Sequence, residues 1–220
     1  MASSSTKDLT DSSSFIIRPA KLTEYKALGQ IAASTYFSSA LEGFLYPHRV
    51  EHYADYERGY EHRALTLMLD PRMISMVACK AATPDIPIAY IHFKRMGDDE
   101  GAKEQLKRKG NVMLWVARWL IWAWFLLITA VTGGNQSADP EAFRLFRSCQ
   151  ETTNKIDWQP FKERENRWHV CSFVVRTEFQ GRGLGKRLMA EVIKYAEKEN
   201  VVIGLESSPE GEFMVSQSVC

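Results

Sequence analysis

The stretch that most restricts what this chain can fold into is a strand-like run that breaks into glycines and restarts as a helix. Trp168-His169-Val170-Cys171-Ser172-Phe173-Val174-Val175 is apolar, β-branched and of strand length. Gln180-Gly181-Arg182-Gly183-Leu184-Gly185 follows, and then a helical pattern over about 184–198 with Leu188, Val192 and Tyr195 on one stripe and Leu184 above them. Val201-Val202-Ile203-Gly204-Leu205 reads as a further strand. Helices and strands interleaved in this way predict an α/β fold with a mixed sheet.

The segments before it agree. Phe15-Ile16-Ile17-Arg18 is a short strand stopped by Pro19, and Leu22, Tyr25, Leu28 and Ile31 recur at helical spacing with Thr23 placed as a cap. A second helix is expected over about 50–69, carrying Tyr53, Tyr56 and Tyr60 and then Ala64, Leu67 and Met68, and ending at Asp70-Pro71. Strands at 73–78 and 88–93 are joined through the turn-rich Thr83-Pro84-Asp85-Ile86-Pro87. Residues 97–167 break this rhythm and read as a helical insertion before the strand at Trp168. Residues 1–14 are Ser-rich and read as a disordered tail, which leaves 15–220 as one domain.

Composition excludes several classes. Hydrophobic residues make up 45% of the chain and charged ones 25%, as in a globular protein. A net charge of +1 provides no global attraction for nucleic acid. The four cysteines, Cys79, Cys149, Cys171 and Cys220, lack the spacing of a zinc site or a redox dithiol, so no metal is expected and a reduced, cytoplasmic chain is. The N-terminus has no apolar run of the kind a secretory signal needs.

A strand running through glycines into a helix is suited to binding phosphate: the first helical amides are unpaired, the helix dipole adds positive charge, and glycine lets an anion reach the backbone. The P-loop pattern fails, because Lys186 stands where its second glycine would be. The dinucleotide fingerprint fails at the same residue, three after Gly183. Gln180-x-x-Gly183-x-Gly185 remains. With its flanking strand and helix, this segment closely resembles motif A of the GNAT N-acetyltransferases, and Ile17-Arg18-Pro19-Ala20 and Leu205-Glu206-Ser207-Ser208-Pro209-Glu210-Gly211 resemble the opening strand and a later strand end of fungal-type members.

The resemblance implies a mostly antiparallel mixed sheet flanked by helices, with acetyl-CoA as co-substrate and a primary amine as acceptor. It implies that backbone groups of Phe173, Val174 and Val175 pair with the pantetheine arm, and that the amides of Gln180, Gly181, Arg182, Gly183, Leu184 and Gly185 hold the pyrophosphate, with Lys186 and Arg187 adding charge. For the base that deprotonates the amine, Glu165 and His169 are the candidates, with Glu163 and His92 beside them, because they lie on or next to the strands flanking the cleft. Tyr25, Tyr36 and Tyr46 are left open between acceptor contacts and core. The acid expected to protonate the thiolate is a Tyr four residues after Gly211, and Val215 occupies that position. The family's final hairpin is also missing, as if the last residues had been read through an unspliced intron. A non-catalytic acyl-CoA-binding or membrane-associated protein of the same type, or an inactive truncated product, is therefore the alternative reading.

The run from Val112 to Val131 is long enough to cross a bilayer, is interrupted only by Arg118, and follows Lys107, Arg108 and Lys109. A single crossing would separate strands that must share a sheet. Its tryptophans, Trp115, Trp119, Trp122 and Trp124, are spread along the run rather than gathered at its ends. Three readings remain open: a helix or helical hairpin packed on the domain, an interfacial or re-entrant segment in contact with a membrane, and a true span.

Overall fold

The computed structural model describes residues 14–206. Its strands are β1 (Phe15–Pro19), β2 (Met73–Lys80), β3 (Thr83–Met96), β4 (Arg167–Val175) and β5 (Val202–Leu205). Its α-helices are α1 (Tyr25–Tyr36), α2 (Ala40–Leu45), α3 (Tyr53–Met68), α4 (Glu100–Lys109), α5 (Val112–Thr132), α6 (Pro140–Thr153) and α7 (Leu184–Glu199). The strands form one sheet in the order β1-β2-β3-β4-β5. Neighbours are antiparallel from β1 to β4, and β5 lies parallel to β4 because α7 carries the chain back between them.

Alternation along the strands sends side chains to two cores. Ile74, Met76 and Ala78 of β2, with Ile91 and Phe93 of β3 and Trp168 of β4, meet Leu184, Leu188, Met189, Val192 and Ala196 of α7. Val77 and Cys79, with Tyr90 and Val174, meet Leu28, Ile31 and Ala32 of α1 and Tyr56, Tyr60 and Ala64 of α3. The expected α/β mixed sheet is therefore the observed one, with helices on both faces.

Several local expectations are corrected. Thr23 does not cap the first helix: the chain enters through a 3-10 turn (Leu22–Glu24) in which the Lys21 amide donates to the Glu24 carboxylate at 2.7 Å. Glu24 is held by the Arg18 guanidinium, a long-range partner that a cap rule does not see. Residues 83–87 are not the turn between β2 and β3. They belong to β3, with register slips opposite Cys79 and Lys80, and Lys80 pairs directly with Thr83. The apolar run is a single helix, not a hairpin, and none of its residues is buried. Residues 1–13 and Val215 lie outside the described residues.

One buried cation joins three elements. Arg95 on β3 is fully buried and donates to Glu199 at the end of α7 (2.7 Å) and to both oxygens of Asp99 (2.6 and 2.8 Å). Asp99 also accepts from the Ala102 amide at 2.9 Å and so caps α4. Replacing Arg95 with Met leaves both carboxylates without their cation, and the expected cost is roughly 3 kcal/mol in the urea unfolding free energy.

Candidate active site

Among the described residues, β4 is paired on one edge only for much of its length. Ser172 lies opposite His92 and Val170 opposite Phe93, so Cys171 is an extra, bulged residue. On the other edge the register with β5 runs from Arg167–Val202 to Val170–Leu205 and goes no further among the described residues. The Arg176 amide donates to the Ile88 carbonyl at 3.1 Å, which sets the alternation beyond the bulge. Backbone groups of Ser172 and Val174 accordingly face β3, whereas those of Phe173 and Val175 face the open edge. Two side chains meet that edge: the Tyr36 hydroxyl donates to the Phe173 carbonyl (3.1 Å), and the Gln180 side-chain amide donates to the Val175 carbonyl (2.9 Å). Of the three strand residues assigned to cofactor pairing, the geometry leaves Phe173 and Val175 available and commits Val174 to the sheet.

The glycine turn lies directly beyond this edge. A 3-10 turn (Thr177–Phe179) precedes it, and Gly181 and Gly183 both have φ of +74°, a conformation natural to glycine. A Cβ at either position would meet nothing within 4 Å, so the turn is kept open by its backbone shape. Gly183 is the N-cap of α7 and offers no side-chain acceptor, leaving the first amides of a 16-residue helix facing outward. Arg182 donates to the Glu178 carbonyl at 3.2 Å, Arg187 donates to the Phe15 carbonyl at 2.8 Å, and Lys186 is exposed on the first turn.

A cavity of about 960 Å³ extends from this edge towards α1, α2 and α3. Tyr36, Glu42, Tyr60 and Arg63 form one wall, Tyr90, His92, Ser172 and Phe173 the floor, and Gln180, Met189 and Leu205 the end nearest the glycine turn. Glu42 is 6% exposed and its Oε2 has no hydrogen-bond partner. Burial raises its carboxyl above the ordinary value, with the Tyr60 and Tyr56 hydroxyls and the Arg63 charge acting in the opposite direction. His92 is 1% exposed; its Nδ1 lies 2.7 Å from the Ser75 hydroxyl and its Nε2 has no partner. Burial and then Arg63 lower its pKa to about 3, so the ring is neutral at pH 7.

The other candidate bases lie elsewhere. His169 packs edge-on against Trp158 (5.4 Å between centroids), and a Cβ on Gly204 would come within 2.9 Å of its Nδ1. Burial lowers its pKa to about 4, and it does not line the cavity. Glu163 and Glu165 are exposed in and after the 3-10 turn (Lys162–Arg164), also off the cavity. Glu42 and Arg63 were not identified from the sequence. Ser39-x-x-Glu42 reads as a helix cap, and Ser39 does accept from the Glu42 amide at 3.2 Å; nothing local reveals that the same glutamate also faces a cavity.

Residues 152–211 match the model of the acetyltransferase (GNAT) family, a segment that contains β4, the glycine turn, α7 and β5. A GCN5-related N-acetyltransferase from Ralstonia eutropha has the same fold, with TM-score 0.52 at 10% identity over 94% of this chain and 92% of that one. A predicted acetyltransferase with acetyl-CoA from Clostridium acetobutylicum aligns at TM-score 0.49 and 10% identity, over 94% and 89% of the two chains. A ribosomal-protein-alanine N-acetyltransferase from Brucella melitensis aligns at 0.47 and 11%, over 94% and 91%. No curated protein matches the sequence. The fold is that of the GNAT acetyltransferases, and the segment bearing the glycine turn is the part that matches the family.

His92 and the half-buried His169 set a pH dependence. Both are lowered from 6.5, so the unfolded chain binds more protons than the folded one in the interval between. Stability is complete above about pH 6.5 and falls as pH drops towards 4, at up to about 1.4 kcal/mol per pH unit for each group. Urea midpoints measured between pH 7 and 4.5 should show this loss, with a shallower slope in His92→Asn.

Proposed function

We propose that this chain is an N-acetyltransferase that moves acetyl from acetyl-CoA to a primary amine in one direct step. The observation that carries the proposal is the open edge of β4 at Phe173 and Val175 leading straight into the glycine turn at the start of α7. An extended amide-bearing arm could pair with the first, and a pyrophosphate could accept from the outward amides of the second. Glu42 is the base this geometry favours. An ammonium gives one proton to its carboxylate, the amine nitrogen attacks the thioester carbon, and the C–S bond breaks. The second amine proton leaves with formation of the amide and reaches the thiolate. Tyr36 brings a hydroxyl to the same edge and supplies a relay for that proton, a role that does not require the residue at 215.

Calorimetric titration with acetyl-CoA tests the cofactor site. The folded chain should bind saturably at one site, and Gly183→Glu should abolish binding by placing a carboxylate in the cradle. Folded protein that takes up no heat would refute the proposal. Binding without thiol release, across a panel of primary amines, would instead favour an acyl-CoA-binding protein without catalysis.

We propose in addition that α5 lies in the plane of an anionic membrane surface. Trp115, Trp119, Trp122 and Trp124 are each more than half exposed. A stripe through Leu114, Ala117, Ile121, Phe125 and Ile128 is partly covered, and Phe125 stacks on His62 at 3.5 Å. β3 and β4 on either side of the insertion pair with each other, so both ends of the helix stay with the domain. Exposed Lys103, Lys107, Arg108 and Lys109 on α4 supply charge for acidic headgroups. Cosedimentation with phosphatidylserine-containing vesicles should exceed that with neutral ones and be lost in Trp119→Glu/Trp122→Glu. Equal recovery with and without vesicles would overturn it.

A further inference from the structure

The cavity contains two opposite charges that do not form an ion pair with each other. Glu42 is buried with one carboxylate oxygen unpartnered. Arg63, on α3, lines the same space and forms no ion pair among the described residues. It shares this space with Tyr36 and Glu42 of the wall and with Tyr90, His92 and Cys171 of the β3–β4 floor.

A cation in this space disfavours a ligand that is only positive, and a buried carboxylate disfavours one that is only negative. Between the two charges the walls are aromatic: Tyr36 and Tyr60 are 6.2 Å apart, and Tyr60 packs on Tyr56 at 5.2 Å. Their faces suit an ammonium and their bodies an apolar stem. The unpartnered His92 Nε2 adds a neutral polar atom at the base.

We infer that the acceptor is a small zwitterion, a primary amine that carries its own carboxylate, with the carboxylate on Arg63 and the amine at Glu42. This rests on the acetyltransferase reading and narrows its acceptor. A guanidinium binds a carboxylate through two parallel hydrogen bonds, which fixes the molecule's direction as well as its place. The amine is then directed towards the carboxylate that takes its proton, on the side of the cavity that Tyr36 connects to the open edge of β4.

Ligand-observed NMR titrations on the full chain, with and without coenzyme A, compare matched pairs that differ by one carboxylate: phenylalanine with phenethylamine, and lysine with cadaverine. At least one amino acid should bind roughly tenfold more tightly than its decarboxylated partner, the size of one charge-assisted contact. Arg63→Met should remove that preference by weakening the acid alone, and Glu42→Gln should weaken both members of the pair. Decarboxylated amines that bind as well as the acids, or no binding by either member of both pairs, would overturn the inference. Acetyl-CoA calorimetry on the same samples keeps the two readings apart, because a chain that binds the zwitterions but not acetyl-CoA sinks the enzyme assignment and leaves the subsite. Retained acetyl-CoA binding in both variants shows that they are folded.

Discussion

Everything at the candidate site follows from the way β4 divides its hydrogen bonds. From Arg167 to Val170 the strand is satisfied on both edges, by β3 and by β5. From Cys171 onwards the bulge resets the alternation, and among the described residues the partner on the β5 side ends at Leu205. An unpaired strand edge usually invites aggregation, but here it is short, recessed behind α1 and α3, and partly covered by Tyr36 and Gln180. Gly204 belongs to the same device. It lets Trp158, Arg167 and His169 close on β5 at distances where a Cβ would clash, so the parallel pair is tight at its start and opens only past it.

The elements that were legible in the sequence are those whose signals are local. The strand from Trp168, the turn at Gln180–Gly185 and helix α7 were readable because their periodicity, glycines and apolar stripe lie within one short stretch. The half of the candidate site proposed for the cofactor came with them. The half proposed for the acceptor was not readable, since Glu42, Arg63, His92 and Tyr36 come from four different elements and meet only when the sheet and α1–α3 are assembled. Val174 shows a finer limit: the residue types reveal a strand, but only the pairing to β3 decides which amides remain open. Thr23 and residues 83–87 were misread for a related reason. A carboxylate reached by Arg18, and a register slip against β2, outweighed cap and turn preferences that are worth about 1 kcal/mol.

The insertion is anchored at its ends and loosely held between them. Arg95 ties its first helix to β3 and α7, and at the far end Trp158 closes on Arg167 and Gly204. Helix α5 between these anchors lies on the domain through a single half-covered stripe. An apolar helix of 21 residues with no buried side chain cannot be understood as a core element, and its exposure reflects neither the sheet nor the site. The two halves of the chain thus obey different solvents: the sheet and α7 are organised by burial within the protein, whereas α5 is composed as if its burial were to come from outside.

The hydrogen bond from Tyr36 to the Phe173 carbonyl joins the strand edge to the aromatic wall of the cavity. The same ring borders Tyr60, which neighbours Glu42. Whatever draws on the Phe173 carbonyl competes with, or shares it with, that hydroxyl, and whatever presses on the ring is transmitted back to the strand. By thermodynamic linkage such an influence must act equally in both directions. The two ends of the cleft are therefore not separate compartments, and the affinity of either for its guest is a property of the pair.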